Sequence, residues 1–264
     1  MPNIPHDYYL KHTNPRVLDE VLDFHVKANF TIHPATRHYS GLHRIPAKTL
    51  NDLTGNELRL HPDMDATLGI IDLPANPESK LYRNESGSAF NSSPIGLNTL
   101  KSLSAPFLRK KNSAFKRGYP SGGALYPIEI FFCHLSEPDD SWPCPERVLH
   151  LLPNSRTFEI IPQTQSIDKL QEAIIPTGSN IGSPSLAILY IAYLPKTLFK
   201  YRYRGYRLAL METGSLYMLA DLKCKELHLE NRIWSGYTDH MICKHLSLNP
   251  ALFLPICVQL IGRS

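Results

Sequence analysis

The longest apolar run, Leu186 to Leu194 (LAILYIAYL), is nearly unbroken and is followed by Pro195, which predicts a central strand buried on both faces. Ile128, Ile130 and Phe132 alternate with Glu129 and Phe131 directly after Tyr126-Pro127 and predict a second strand. Arg147 to Leu152 and Arg156 to Ile161, joined by Pro153-Asn154-Ser155, predict a hairpin. Leu252 to Ile261 predicts a last strand, and Pro255 within it suits an edge or an arm reaching a second subunit. Helical spacing occurs at Val17, Leu18, Val21, Leu22 and Val26 behind Asn14-Pro15, at Ile95, Leu97, Leu100 and Leu103, and at Ile167, Leu170 and Ile174. Leu208, Met211, Ser215, Leu219 and Leu222 predict a long helix to about His228. Gly214 inside it costs about 1 kcal/mol relative to alanine, which a close approach to the helix would explain.

These patterns divide the chain. Residues 1 to about 78 read as an N-terminal extension that packs on the main domain or on a partner, with a short helix after Pro46 carrying Leu50 and Leu53. Pro74, Pro77 and Pro94, among many Ser and Asn residues, mark a loop and boundary, so residues 79–264 form the main domain. Phe107 to Lys116, with Arg109, Lys110 and Lys111, reads as a mobile basic segment. The 264 residues suffice for a sizeable core, and 42% hydrophobic against 20% charged is ordinary for a globular chain. No apolar segment follows Met1 and no run is long enough to span a membrane, so a cytoplasmic protein with reduced thiols is expected. The five cysteines include no close pair of metal-ligand type. His33, His38 and His43 lack a fourth ligand at useful spacing, and Cys224, His228, His240, Cys243 and His245 match no familiar zinc pattern, so no metal is expected.

Charge concentrates in one stretch, Lys200-Tyr201-Arg202-Tyr203-Arg204-Gly205-Tyr206-Arg207, whose four cations equal the whole net charge of +4. Three readings exist: a solvated basic strand or loop, a nucleic-acid stripe, or a site that holds an anionic cofactor and tunes a base. A lysine crowded by arginines is disfavoured as a cation, which lowers its pKa toward a usable range. The apolar run before the stretch and the helix after it favour the third reading, since they put it at the edge of a core. No bulk attraction to nucleic acid or membrane is required by so modest and localised a charge. The second informative stretch is Arg117 to Pro127, RGYPSGGALYP. Ser121-Gly122-Gly123 between two prolines lets the backbone approach a ligand, and consecutive amides form an anion-binding concavity; a tight turn before a strand is the alternative. Trp234 to Asp239 is a third glycine-containing loop.

Together these stretches resemble the SagB-type branch of the flavin nitroreductase family, over roughly residues 80–262. Pro-Ser-Gly-Gly-Ala-Leu-Tyr-Pro-Ile-Glu at 120–129 carries the likeness, with Lys200-Tyr201, Arg204, Tyr206, Arg207, Glu212, Gly214 and Gly236-Tyr237-Thr238-Asp239. It reaches the N-terminal region at Asp23-Phe24-His25-Val26. The resemblance implies an α+β nitroreductase-like fold, with a central mixed β-sheet flanked by helices. It implies an FMN-binding homodimer, with the cofactor at the subunit interface, that oxidises thiazolines and oxazolines in a ribosomal precursor peptide. Cyclodehydratase subunits of the same synthetase complex would first make the rings. It assigns Lys200 and Tyr201 as the catalytic pair. Cofactor contacts fall on Ser86, Arg117, Pro120, Ser121, Gly122, Gly123, Leu125, Tyr126, Arg204, Arg207, Gly236, Tyr237 and Arg263.

The chain departs from the family in two places. The usual phosphate segment Arg-Arg-Ser-x-Arg-x-Phe is reduced to Ser86 and Phe90, with Arg83 one place out of register, so Arg117, Arg207 and Arg263 become candidates for the phosphate. Met218-Leu219 stands where Gln-Asn is common. Lys200 suits the base if arginines and partial burial lower its pKa, and Tyr201 relays the proton or orients the ring. In an extended strand the two would point to opposite faces, so sharing a site requires a bend. A nitro- or quinone-reductase using NAD(P)H and a flavin-free scaffold are the rival functions.

Overall fold

The computed structural model describes residues 6–29, 46–49, 81–110, 116–137, 142, 144–162 and 167–264. Residues 1–30 and 80–264 form one compact unit and residues 31–79 a second. The first unit thus takes in thirty residues on the extension's side of the boundary near residue 78. Residues 47–49 are helical, whereas Leu50, Leu53, the loop histidines 33, 38 and 43, and Lys111 lie outside the described residues.

The described elements run α1 (His6–His12), α2 (Pro15–Val26), α3 (Leu97–Ser104), β1 (Ile128–His134), β2 (Val148–Leu152), β3 (Thr157–Ile160), α4 (Ile167–Ile174), β4 (Leu186–Tyr193), α5 (Pro195–Tyr201), α6 (Tyr203–Glu226), β5 (Glu230–Trp234), α7 (Asp239–His245) and β6 (Phe253–Gly262). The strands form one sheet in the order β3-β2-β1-β4-β6-β5. Every residue of β4 is buried. Alternation sorts the sheet's side chains onto two layers. Ile128, Ile130, Phe132, Ile188 and Tyr190 pack with Leu100 of α3 and Leu216 of α6. Phe131, Cys133, Leu189 and Val258 pack with Leu170 of α4 and Ile242 of α7.

Two expectations change. The mixed sheet is antiparallel in all five strand pairings among the described residues. A fully apolar strand is typical of parallel sheets, but here β4 is apolar because helices cover both of its faces. The last strand is an interior one, between β4 and β5, and not an edge or an arm. It accommodates Pro255 at a bulge, where the register slips between Tyr190 and Ile191.

The N-terminal helices pack where β4 leads into α5. Asn14 caps α2 by accepting the Val17 amide at 3.3 Å. Tyr9 of α1 meets Phe199 at 5.5 Å between ring centroids. From α2, Glu20 accepts the Tyr203 hydroxyl and His25 Nδ1 lies 3.0 Å from the Tyr206 hydroxyl.

Candidate active site

Pro195 ends the apolar strand but also occupies the first turn of α5, where its missing N–H costs nothing. Lys200 and Tyr201 therefore lie in the last turn of a helix and not in an extended strand. The chain breaks at Arg202, whose φ of 49° and ψ of −136° separate α5 from α6. That break is the bend the pair needs, while Gly205 is already inside α6. Lys200 Nζ stands 5.1 Å from the centre of the Tyr201 ring. The partial burial expected for Lys200 is absent, since it is exposed in the single chain, as are Arg202, Arg204 and Arg207.

The tips of both side chains meet the backbone of Gly123. A Cβ there would lie 2.6 Å from Tyr201 Oη and 2.9 Å from Lys200 Nζ. The loop around it is strained: Gly123, Ala124 and Tyr126 have φ of 64°, 54° and 51°. A left-handed conformation costs a non-glycine residue about 1–2 kcal/mol. Contacts beneath the loop offset this. Ser121 Oγ accepts the Tyr126 amide at 2.8 Å, and Tyr126 Oη accepts the Arg117 amide at 3.0 Å. The Arg117 guanidinium lies 4.2 Å over the Tyr126 ring and donates to Tyr119 Oη at 2.9 Å. Pro120 is exposed and Leu125 half-buried at the two ends of this loop.

A buried electrostatic set supports the junction. Glu212 of α6 is pushed up to about 7 by burial, against the pull of Ser121, Arg117, Lys196 and the Ile128 amide. Burial alone would also raise the Glu129 carboxyl, but Lys196 and His150, each at 3.2 Å, overcome it and hold Glu129 well below the usual carboxylate range. Lys196 opens the helix that carries Lys200, so this ion pair fixes α5 against β1. Burial opposes the charge of His150, yet Glu129 and Glu159 outweigh it and raise its pKa.

The remaining sequence candidates stand elsewhere. Ser86 accepts Arg83 at 3.1 Å, and Arg83 pairs with the buried Asp221 at 3.4 Å. Arg232 donates to the Gly87 carbonyl at 2.8 Å, and the Asn91 amide donates to the Arg263 carbonyl at 2.8 Å. Ser86, Arg83, Arg232 and Arg263 thus gather where Glu230 pairs with Gly262, the same end of the sheet as Leu186. The Ser-Gly-Gly loop enters β1 at the opposite end, where Ile128 pairs with Ala192. The eight residues of β4 span about 23 Å between them. Arg117, expected among the phosphate cations, is buried under the loop. Gly236 and Tyr237 follow β5, with Tyr237 buried in the layer of α4 and α7 and donating to the Pro255 carbonyl at 3.3 Å. Among the described residues no three His, Cys, Asp or Glu side chains are placed to hold a metal ion. Sequence reasoning passed over Arg232, a single cation in a short strand. It also gave no role to Glu212, whose place four residues from both Leu208 and Leu216 on an otherwise apolar stripe was the available signal.

No family model matches the chain. Over 253 residues it is 34% identical to the microcin B17-processing protein McbC of Escherichia coli, which covers 95% of this chain and 92% of that protein. A chain of the solved E. coli microcin synthetase McbBCD complex with truncated pro-MccB17 bound superposes with a TM-score of 0.85 at 34% identity, covering 100% of this chain and 98% of that one. A putative nitroreductase from Ralstonia eutropha shares the fold at 17% identity and a TM-score of 0.56, over 74% of this chain and 88% of its own. Identity of this level along almost the whole length means that the chain belongs to the family of the microcin B17-processing protein McbC, on a nitroreductase-like α+β fold.

Proposed function

We propose that the chain is an FMN-dependent azoline dehydrogenase, oxidising thiazolines and oxazolines to thiazoles and oxazoles in a ribosomally made precursor peptide. It works as a subunit of a microcin-type synthetase whose cyclodehydratase subunits make the rings. The observation that carries this reading is the meeting of Lys200 and Tyr201 with the bare backbone of Gly123. A glycine whose missing side chain leaves room for the tips of a base and a phenol suits a site where a flat ring must approach backbone.

The residues fit a flavin mononucleotide in two parts. Ser86 with Arg83, Arg232 and Arg263 suits the phosphate, and the loop from Ser121 to Tyr126 suits the remainder. The two parts stand at opposite ends of one sheet, which supports a homodimer in which each site draws on both chains. When bound, FMN supplies the hydride acceptor. Lys200 is the base that takes the proton from the ring α-carbon. Tyr201, stacked within reach of that nitrogen, orients the ring or passes the proton on. Five free cysteines, four of them buried, agree with a reducing cytoplasm.

The test is the purified complex with its peptide. The chain should release FMN on denaturation, and each ring should lose about two mass units, the proton and hydride of the oxidation. Lys200→Ala and Tyr201→Phe should keep the flavin and accumulate azolines. Azolines left untouched by the flavin-loaded wild type would overturn the reading, and rapid NAD(P)H-driven reduction of nitro compounds would favour the reductase instead.

A further inference from the structure

Beneath the loop lies a carboxylate that the reaction does not use. Glu212 is 4% exposed and sits one turn from Leu208, whose Cδ1 is 2.9 Å from where a Cβ on Gly122 would be. A carboxylate on so apolar a stripe is costly unless it is bonded. Its partners belong to the loop and to the strand the loop enters: the Ser121 hydroxyl, the Ile128 amide and the Arg117 guanidinium. Ser121 Oγ already accepts the Tyr126 amide, which leaves its hydrogen for Glu212. One side chain therefore ties both ends of the segment from Ser121 to Ile128, in which Gly123, Ala124 and Tyr126 take positive φ. Among the described residues, Glu212 Oε1 and Arg117 Nε are both buried without a hydrogen-bond partner.

We propose that Glu212 is a positioning residue for azoline oxidation: it holds the Ser-Gly-Gly loop at the depth where the Gly123 backbone meets Lys200 and Tyr201. The proposal rests on the assignment of that pair above. The charged and titratable groups facing Glu212 are Arg117 and Tyr119 from the loop, Lys196 from α5 and, across Arg117, Glu129 from β1. Ionised Glu212 accepts strongly from Ser121 and Ile128 and attracts both cations, and protonation weakens all four interactions. Burial pushes this exchange up to about 7, inside the range of an ordinary assay.

Glu212→Gln keeps the shape and removes the charge. The assay uses the intact complex and a peptide carrying preformed azolines. Lys200 as the base gives both enzymes a rise with pH, so the readout is their ratio: wild-type kcat over that of Glu212→Gln is expected to grow about tenfold between about pH 6 and pH 8, following the ionised fraction of Glu212, with KM within about twofold. Hydrogen exchange over residues 119–127 at the upper pH should be roughly tenfold faster in the variant, the loss of one charge-assisted bond. Glu212→Asp, still ionisable, should regain the additional rise at a lower plateau, and serves if the glutamine variant fails to fold. A wild-type to Glu212→Gln ratio that stays constant with pH, unchanged exchange in the loop, or a Glu212→Asp profile parallel to that of Glu212→Gln overturns the proposal. An active Lys200→Ala would instead remove the assignment of the pair, and the loop exchange of Glu212→Gln would still report on positioning.

Discussion

Gly123 concentrates the site into one position. A methyl group there meets Tyr201 Oη and Lys200 Nζ well inside contact distance, and its φ of 64° adds about 1–2 kcal/mol of backbone cost for alanine. Gly123→Ala is therefore expected to lower kcat for azoline oxidation by about a hundredfold, the order of a displaced catalytic group, while stability falls by only about 1–2 kcal/mol. Rates set beside denaturant midpoints check this, and near-normal kcat would mean that the pair is not set against that backbone. Glu212 gives a second test at this scale. A carboxyl raised from 4.5 to about 7 binds its proton more tightly in the folded state, so stability falls as pH rises from 4.5 toward 7. The penalty, about 3 kcal/mol at 1.36 kcal/mol per unit, is fully present above that window and is absent in Glu212→Gln. His150, raised as well, loses stability as pH climbs above 6.5, so the readout is wild type minus variant, measured at pH near 5 and near 8. An equal difference at both pH values would contradict a buried, ionisable Glu212. The pair and the Ser-Gly-Gly loop were legible because cations, tyrosines and glycines are dense there. Arg83 and Arg232 were not, because only the pairing of residue 87 with the start of β5 joins segments so distant in sequence.

Among the elements, β4 and α6 were readable from periodicity alone, since one is apolar throughout and the other carries its apolar residues at helical spacing. The octapeptide was not, because a proline after an apolar strand reads as a stop signal and serves equally as a helix start. Pro255 misled in the same way, since a bulge admits proline in the interior of a sheet. The N-terminal helices were read as part of an extension packed on the main domain or on a partner, and α1 and α2 touch the segment that holds Lys200 and Tyr201. Tyr206→Phe removes the hydrogen bond to His25 and is expected to cost about 1 kcal/mol. Removing residues 1–27 should do more, lowering both the melting temperature and the rate of azoline oxidation. Calorimetry and peptide mass spectrometry check this; unchanged values after truncation would mean that the helices do not brace the junction.

At the scale of the whole molecule, the two parts proposed for the site stand at opposite ends of one sheet, as a site shared between two copies would require. The exposed face of α6 leaves room for a second copy: Met211 is 68% exposed, and among the described residues nothing comes nearer than 4.0 Å to a Cβ on Gly214. Complementation tests the arrangement. Arg232→Ala and Lys200→Ala chains, each inactive alone, should regain part of the activity when mixed and re-dimerised, because a heterodimer then holds one site with both parts intact. No recovery in a confirmed heterodimer would mean that each site is built from a single chain. The measurement nearest the central claim is anaerobic addition of azoline peptide to the flavin-loaded complex. The account predicts that flavin absorbance bleaches without any nicotinamide, in step with the loss of about two mass units per ring. In Lys200→Arg, which keeps the charge but has no free amine to act as base, both signals should vanish while the colour remains. A wild type whose flavin stays oxidised with azoline peptide and bleaches with NAD(P)H, or a fully active Lys200→Arg, would contradict it.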